Sequence, residues 1–533
     1  MNHFYERNDY ILEHDINKKF EEVLWMTEDE FRAWVIDMRE TIVYAWDELG
    51  IPPRVGWNEQ DIINQMDKIG SFPVHQFEMV DELTGKKNLI RNTSVVGNCV
   101  NQWFPTMMKT RINYTANSDD GKSIYDHFAD PELLEKVLKY ARRHFKRDSF
   151  YHYSLPVKAN DKENFIFHCE TGEEWIERFE AEERKYNRSD YWIVPKKEEA
   201  EYTGYNEELK GQQWLTLNKE QVERLNIPDK CKTNIDYIES DNFQIRYFEY
   251  GQKLFPIGLK AFRVSFCQYA VNFPPLTAKY LYERYTQHIV EDESDSKDSI
   301  VIYDPSAGWG GRLLGAMGIR DDRTVHYIGT DPNTDHLIEN GTSTKYDDFG
   351  KFYNTRTNRG KSLFPHTHSF QIFREGSECI RDDPEFGRFR AEVDLVFTSP
   401  PYFSKEKYSE DATQSCTKFG KSYQQWVDGF LKPTLETAVE WLKPNRYLLW
   451  NVANVKFGKD MMPLEDDSRK ILDSLGMEYV ETLKMTLAQM PGGNRIDTDT
   501  GLPKTESFCK VKSADGKKEI YLKYEPILVY FKP

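Results

Sequence analysis

The segment Val393-Asp394-Leu395-Val396-Phe397-Thr398-Ser399-Pro400-Pro401-Tyr402-Phe403 constrains this chain more than any other. Its apolar run reads as a buried strand, and two successive prolines must end the ladder because neither has an N–H to donate. The corner holds a carbonyl, a hydroxyl and an aromatic ring rigidly at the carboxyl end of a strand. In open α/β sheets ligands bind at that edge. Pro-Pro after a strand is often only a loop terminator, so the neighbouring pattern decides.

That pattern is strand, glycine turn, helix, strand. Ser299-Ile300-Val301-Ile302-Tyr303 is a β-branched apolar run that leads into Asp304-Pro305-Ser306-Ala307-Gly308-Trp309-Gly310-Gly311-Arg312 and then Leu313–Met317. Glycines at 308 and 310 allow a sharp turn and a close backbone approach to a ligand. A second strand, Val325–Thr330, ends at Asp331, 21 positions after Gly310. An α/β nucleotide site places the carboxylate for ribose hydroxyls at about that interval. A further strand, Ser369–Phe373, ends near Ser377 and Glu378, where a polar group could accept from an adenine amine. Later strands are expected at Leu448–Val452, Leu483–Met490 and Tyr524–Phe531.

The turn lacks the G-K-[ST] ending of a P-loop. Asp304, which closes the first strand, would repel a pyrophosphate but could pair with an ammonium. A cofactor with an amino-acid end, a ribose and an adenine fits these residues, and S-adenosylmethionine has all three.

At this point the chain resembles a known family. Asp304–Arg312 is similar to the S-adenosylmethionine loop of the amino-directed DNA methyltransferases, and Thr398-Ser399-Pro400-Pro401-Tyr402 to their catalytic motif in its T-S-P-P-Y form. Asn272-Phe273-Pro274-Pro275 with the helical Leu276–Tyr285 resembles the segment that packs over the cofactor, and Tyr524–Phe531 the closing strand. The likeness covers roughly residues 255–533. It implies a Rossmann-like methyltransferase core with a mostly parallel seven-stranded sheet, preceded by a mixed α+β N-terminal region. It implies cofactor contacts from Phe273, Asp304, Ser306, Gly308, Gly310, Asp331, Ser377 and Glu378. It also implies that Ser399 and the Pro400 carbonyl accept the two protons of an exocyclic amine, with Pro401 stiffening the corner. Tyr402 would stack on a base swung out of double-stranded DNA, and Phe403 would widen that platform. Serine in the motif favours cytosine-N4 over adenine-N6. Related motifs also serve RNA and protein amides. A bifunctional restriction enzyme is a further alternative, without a nuclease constellation to support it.

The remaining sequence sets the context. The 533 residues are 39% hydrophobic and 30% charged, with a net charge of −17, so nucleic-acid contacts must come from local basic patches. The mean hydropathy of −0.72 fits a globular chain, no apolar run reaches membrane length, and the first residues are too polar for a signal peptide. A cytoplasmic setting is expected, and the acidic balance would suit a virus- or mobile-element-encoded enzyme in a host cytoplasm. Seven cysteines without a C-x-x-C pair argue against a disulfide scaffold and a zinc site, so no metal is expected.

Residues 1–250 are expected to form a separate region that reads DNA sequence, with 251–533 as the methyltransferase domain. Thr27–Glu30 has capping-box spacing ahead of a core-type stripe of Phe31, Trp34, Val35, Met38, Ile42, Ala45, Trp46 and Leu49. Pro131–Arg147 reads as a basic helix in an acidic chain. Its Arg142, Arg143, Lys146 and Arg147 are the candidate phosphate contacts. The polar stretch Ser404–Ser422 reads equally as a loop over DNA or an ordinary surface loop. Oligomeric state is not legible.

Overall fold

The computed structural model describes residues 27–49, 59–91, 96–112, 121–135, 270–291, 299–319, 324–338, 343–357, 368–419, 422–457, 460–487, 502–503, 507–512 and 519–533, with the backbone of seven strands between 153 and 248. Its contacts divide the chain into two compact units, Met1–Val55 with Asp126–Cys267, and Gly56–Tyr125 with Gln268–Pro533. No described helix is long and apolar enough to cross a membrane.

In the first unit a helix spans Glu28–Leu49. Thr27 and Glu30 close the expected capping box, with Thr27 N donating to Glu30 Oε2 at 2.8 Å and Glu30 N to Thr27 Oγ1 at 3.3 Å. Phe31, Trp34, Val35 and Met38 are buried, as the stripe requires. Arg39 Nε donates to the Ala129 carbonyl at 2.7 Å. The described strands of this unit form two antiparallel sheets. One orders Tyr153–Leu155, Asn164–His168 and Tyr191–Pro195; the other orders Thr203–Tyr205, Gln212–Asn218, Asn242–Phe248 and Asp236–Glu239. Arg142, Arg143, Lys146 and Arg147 lie outside the described residues.

The second unit is built on a ten-stranded sheet. Its strands are β1 (Glu78–Asp81), β2 (Lys86–Ile90), β3 (Ser299–Asp304), β4 (Thr324–Thr330), β5 (Ser369–Phe373), β6 (Val393–Thr398), β7 (Leu442–Asn451), β8 (Glu478–Thr486), β9 (Phe508–Lys512) and β10 (Glu519–Lys532). The order is β1-β2-β8-β10-β7-β6-β3-β4-β5, with β9 paired to β10 off that path. The run β3 to β7 is parallel throughout, and β10 is inserted antiparallel between β7 and β8. This is a mostly parallel, Rossmann-like sheet of seven strands, extended by β1, β2 and β9. Every position of β6 is buried, as a central strand covered on both faces must be.

The principal helices are α1 (Glu59–Ser71), α2 (Pro275–Glu291), α3 (Gly311–Met317), α4 (Lys345–Arg356), α5 (Lys432–Trp441) and α6 (Leu464–Ser474). A Cβ on Gly315 of α3 would meet Ala278 Cβ and the Pro275 carbonyl of α2, both at 2.7 Å, so the close approach of these helices needs glycine there. Before α5 the chain makes a π-helical turn at Val427–Leu431, which absorbs the missing N–H of Pro433 in the first turn of α5. Trp426 and Phe430 are buried in the core, and Tyr423 packs partly buried against it.

The expected boundary at 250/251 does not coincide with the division of contacts. Residues 56–125 belong to the unit that carries the sheet. β2 pairs in parallel with β8 through Leu89 opposite Lys484 and Ile90 opposite Met485. Phe104 lies so close to Gly310 that a Cβ there would sit 2.7 Å from the ring. These contacts join residues hundreds of positions apart and leave no local trace in the sequence.

Candidate functional site

The glycine turn and the Ser-Pro-Pro-Tyr corner open onto a single cleft of about 520 Å³, at the carboxyl ends of the parallel strands. That volume and position suit a small-molecule site. Phe273, Ser306, Gly308, Asp331, Ser377, Glu378, Ser399, Pro400, Pro401 and Tyr402 all line it.

β3 and β4 run parallel, so their ends lie side by side and Asp331 reaches back over the turn. Its Oδ2 accepts from Gly308 N at 3.1 Å and from the Tyr346 hydroxyl at 2.7 Å, and Oδ1 accepts from Asn333 N at 2.9 Å. His336 Nδ1 lies 3.3 Å from Oδ2. Burial pushes this carboxyl up, but His336 and the converging donors outweigh burial and hold it below the ordinary carboxylate range. Asp331 is therefore an ionised, oriented acceptor. Gly308 has a φ of +63°, the left-handed backbone that directs its N–H toward Asp331.

Asp304 behaves differently from the expectation. Its carboxylate is wholly buried and saturated by the protein. Oδ1 accepts from Ser306 N at 3.1 Å and Thr398 Oγ1 at 2.6 Å; Oδ2 accepts from Arg312 Nε at 2.6 Å and from the Tyr327 hydroxyl. No lone pair is left facing the cleft for a ligand ammonium, and the residue does not line it. Its work is to bond the loop to the Ser-Pro-Pro-Tyr corner through Thr398. Gly310 likewise does not face the cleft; its φ of +72° and the nearby Phe104 ring explain the glycine.

Phe273 packs against Arg312 of the loop and lines the cleft. Its ring lies 5.8 Å from the Arg312 guanidinium and edge-on to Phe397, and Asn272 Nδ2 donates to the Trp309 carbonyl at 2.7 Å. Ser377 and Glu378 border the cleft with their side chains engaged. Ser377 Oγ bonds Thr434 Oγ1 at 2.9 Å, and Lys418 Nζ pairs with Glu378 Oε1 at 2.8 Å.

At the corner, the Tyr402 hydroxyl donates to Glu525 Oε1 at 2.9 Å and lies 3.2 Å from the Asn451 carbonyl. Burial, with the Glu525 carboxyl beside it, raises the Tyr402 hydroxyl well above its ordinary range. Phe403 does not extend a stacking platform. It is 1% exposed, packed against Tyr423, Trp426 and Phe457, and its φ of +53° turns it into the core.

Several cleft residues were not singled out in the sequence. His336 and Asn451 each present a buried polar atom with no partner, Nε2 and Oδ1 respectively, on residues that line the cleft. Asn451 falls within the expected strand at 448–452 and is the last residue of β7, so a polar residue near a strand's carboxyl end was the available signal. Glu406 and Tyr408 come from the polar stretch after the corner, where the Tyr408 hydroxyl donates to Glu406 Oε2. That stretch is a wall of the cleft: Arg111–Ile112 pairs with Glu406–Lys407, and Thr413, Gln414, Ser415 and Cys416 line the cavity.

No protein-family model and no curated protein matches the chain. Solved structures do. A precorrin-6y C5,15-methyltransferase from Geobacter metallireducens shares 12% identity over 45% of this chain and 82% of its own, with a TM-score of 0.24. A putative class I S-adenosylmethionine-dependent methyltransferase from Listeria monocytogenes shares 15% over 52% of this chain and 67% of its own, with a TM-score of 0.25. A putative DNA modification methylase from Thermus thermophilus, solved with S-adenosyl-L-methionine, shares 21% over 30% of this chain and 52% of its own, with a TM-score of 0.18. These likenesses are weak, and the functional reading rests on the residues of the cleft.

Proposed function

We propose that this chain is a DNA methyltransferase that moves a methyl group from S-adenosylmethionine to the exocyclic amine of a flipped base, cytosine-N4 in preference to adenine-N6. One observation carries the reading. The Gly308–Asp331 turn and the Ser399–Tyr402 corner wall the same cleft and are joined directly by the Thr398–Asp304 bond.

The residues fit the cofactor. Asp331, ionised and held by donors on one side, retains acceptor capacity on Oδ1 for ribose hydroxyls. The unpartnered His336 Nε2 and the Phe273 ring lie in the same walls. When bound, the sulfonium supplies an electrophilic methyl. The chain's own task is the amine, a poor nucleophile because its lone pair is delocalised into the ring. Ser399 Oγ and the Pro400 carbonyl accept its two N–H bonds, so charge that develops on nitrogen meets fixed acceptors. Pro400 and Pro401 restrict the backbone, which keeps those acceptors from reorganising. Tyr402, anchored at its hydroxyl, offers a ring to a base that must leave the duplex to be reached. Double-stranded DNA is the proposed partner, with the N-terminal basic segment as its phosphate contact. The serine in the motif favours cytosine.

The test is incubation with duplex DNA and radiolabelled donor, then mass spectrometry of the digested bases. N4-methylcytosine is expected, and Ser399→Ala and Tyr402→Ala should each lose about 10²-fold in rate while binding the donor unchanged by calorimetry. Label in RNA or protein instead of DNA refutes the substrate, and no donor uptake by folded protein refutes the class.

A further inference from the structure

The wall of the cleft beside the catalytic corner carries two carboxyl groups that methyl transfer as described does not use. Glu525 lies on β10 next to Pro526, opposite Met485 of β8, and its Oε1 accepts the Tyr402 hydroxyl at 2.9 Å. Glu406 lines the same cleft, near enough for its charge to act on Glu525, and its Oε2 accepts from the Tyr408 hydroxyl. Asn451 of β7 completes the group. Its Nδ2 donates to the Pro526 carbonyl at 2.9 Å, which fixes the amide and leaves Oδ1 buried without a partner.

We infer that Glu525 is a specificity-determining residue: from the cleft wall beside Tyr402 its carboxyl hydrogen-bonds the ring nitrogen next to the target amine. This rests on the reading of the cleft as the pocket of a flipped base. The chemistry selects a class. Cytosine N3 and adenine N1 are bare acceptors beside an amine, whereas guanine N1 and thymine N3 carry hydrogen. A carboxylic acid at this place matches the first pair and leaves the second with donor against donor, a costly mismatch in a buried site.

The charge arrangement supports the neutral form. Burial raises Glu525, and Glu406 raises it further; the Tyr402 hydroxyl, Asn451 and Lys523 of the same strand oppose that, and the net direction is upward. Glu406 is itself raised by burial, against its bond from Tyr408 and the charge of Lys405. Both carboxyls therefore hold a proton more readily than an exposed glutamate does.

The sign follows. The donor is present while Glu525 is protonated, so kcat/KM for DNA should fall as pH rises through its elevated value. Wild type, Glu525→Gln and Glu525→Leu are compared from pH 6 to 10 on the full chain, with donor affinity by calorimetry as the measure of an intact fold. Glutamine keeps a donor and an acceptor but cannot ionise. It should cost less than tenfold at pH 6.5 and abolish that fall, whereas leucine should lose at least tenfold in kcat/KM with donor affinity unchanged. Duplexes that carry 3-deazacytosine at the methylated position should be poorer substrates for wild type and indistinguishable from cytosine for Glu525→Leu. The assignment is overturned if leucine is tolerated, if glutamine is as damaging as leucine, or if the fall with pH persists in Glu525→Gln. Failure of the wild type to methylate DNA at any pH would overturn the underlying reading, and this assignment with it.

Discussion

Asp304→Asn separates a structural carboxylate from a ligand-binding one. Asp304 is fully buried, and Arg312, 6% exposed, places Nε 2.6 Å from Oδ2. Ser306 N and Thr398 Oγ1 converge on Oδ1, and the Tyr327 hydroxyl joins Arg312 on Oδ2. Asparagine keeps one acceptor oxygen and must turn an NH₂ toward two donors. Removing one partner of a buried ion pair costs about 3–5 kcal/mol, and each orphaned donor about 1–3 kcal/mol. Arg312 enters both figures, so they overlap, and a net loss of about 4 kcal/mol is expected. With a urea slope of about 3 kcal/mol per molar, the midpoint should fall by about 1.3 M. Adding Arg312→Met removes the stranded cation and should recover at least half of that loss. The assay is a reversible urea titration of the full chain by tryptophan fluorescence, with donor binding measured by calorimetry on folded protein. If Asp304 gripped the ammonium of the donor, the single variant would keep its midpoint within about 0.3 M and lose donor binding. That result would refute the account of a saturated carboxylate.

Phe403→Ala should cost about 3–5 kcal/mol of stability, read by the same titration, and leave the DNA affinity of folded protein unchanged; weaker DNA binding at full stability would restore the stacking role. Replacing Arg142, Arg143, Lys146 and Arg147 with alanine should weaken DNA binding uniformly across sequences and lower the slope of log affinity against log salt by about 4, measured by fluorescence anisotropy. Equal affinity and an equal slope would sink the proposal that this segment touches phosphate.

Much of the core was legible because its determinants are local. The strands at 299–304, 324–330, 369–373 and 393–398 are short apolar runs bounded by turn signals, and each appears close to where its pattern places it. The corner at Pro400-Pro401 and the capping box at Thr27–Glu30 follow from stereochemistry and residue spacing. Where the local signal weakens, the limits move. β7 begins at Leu442, six residues before the expected strand, and β8 spans Glu478–Thr486, five residues ahead of the expected start at Leu483. Both run through polar or charged positions that give no clean alternation.

The sequence by itself determined that this chain has a parallel α/β core, that a glycine turn and a Pro-Pro corner stand at strand ends, and that Asp331 follows the turn at a nucleotide-site interval. Tertiary structure alone decided which side chains those features meet. Asp304 is withdrawn from the ligand because Thr398, Arg312 and Tyr327 converge on it, and Phe403 is withdrawn because three aromatic rings enclose it. Glu525 enters the pocket from 123 positions after Tyr402 because β10 lies beside β7. Backbone preference and hydrophobic period act over a few residues, so they write strands and turns into the sequence. The satisfaction of a buried charge depends on partners brought together only when the sheet closes, and no local pattern encodes that meeting.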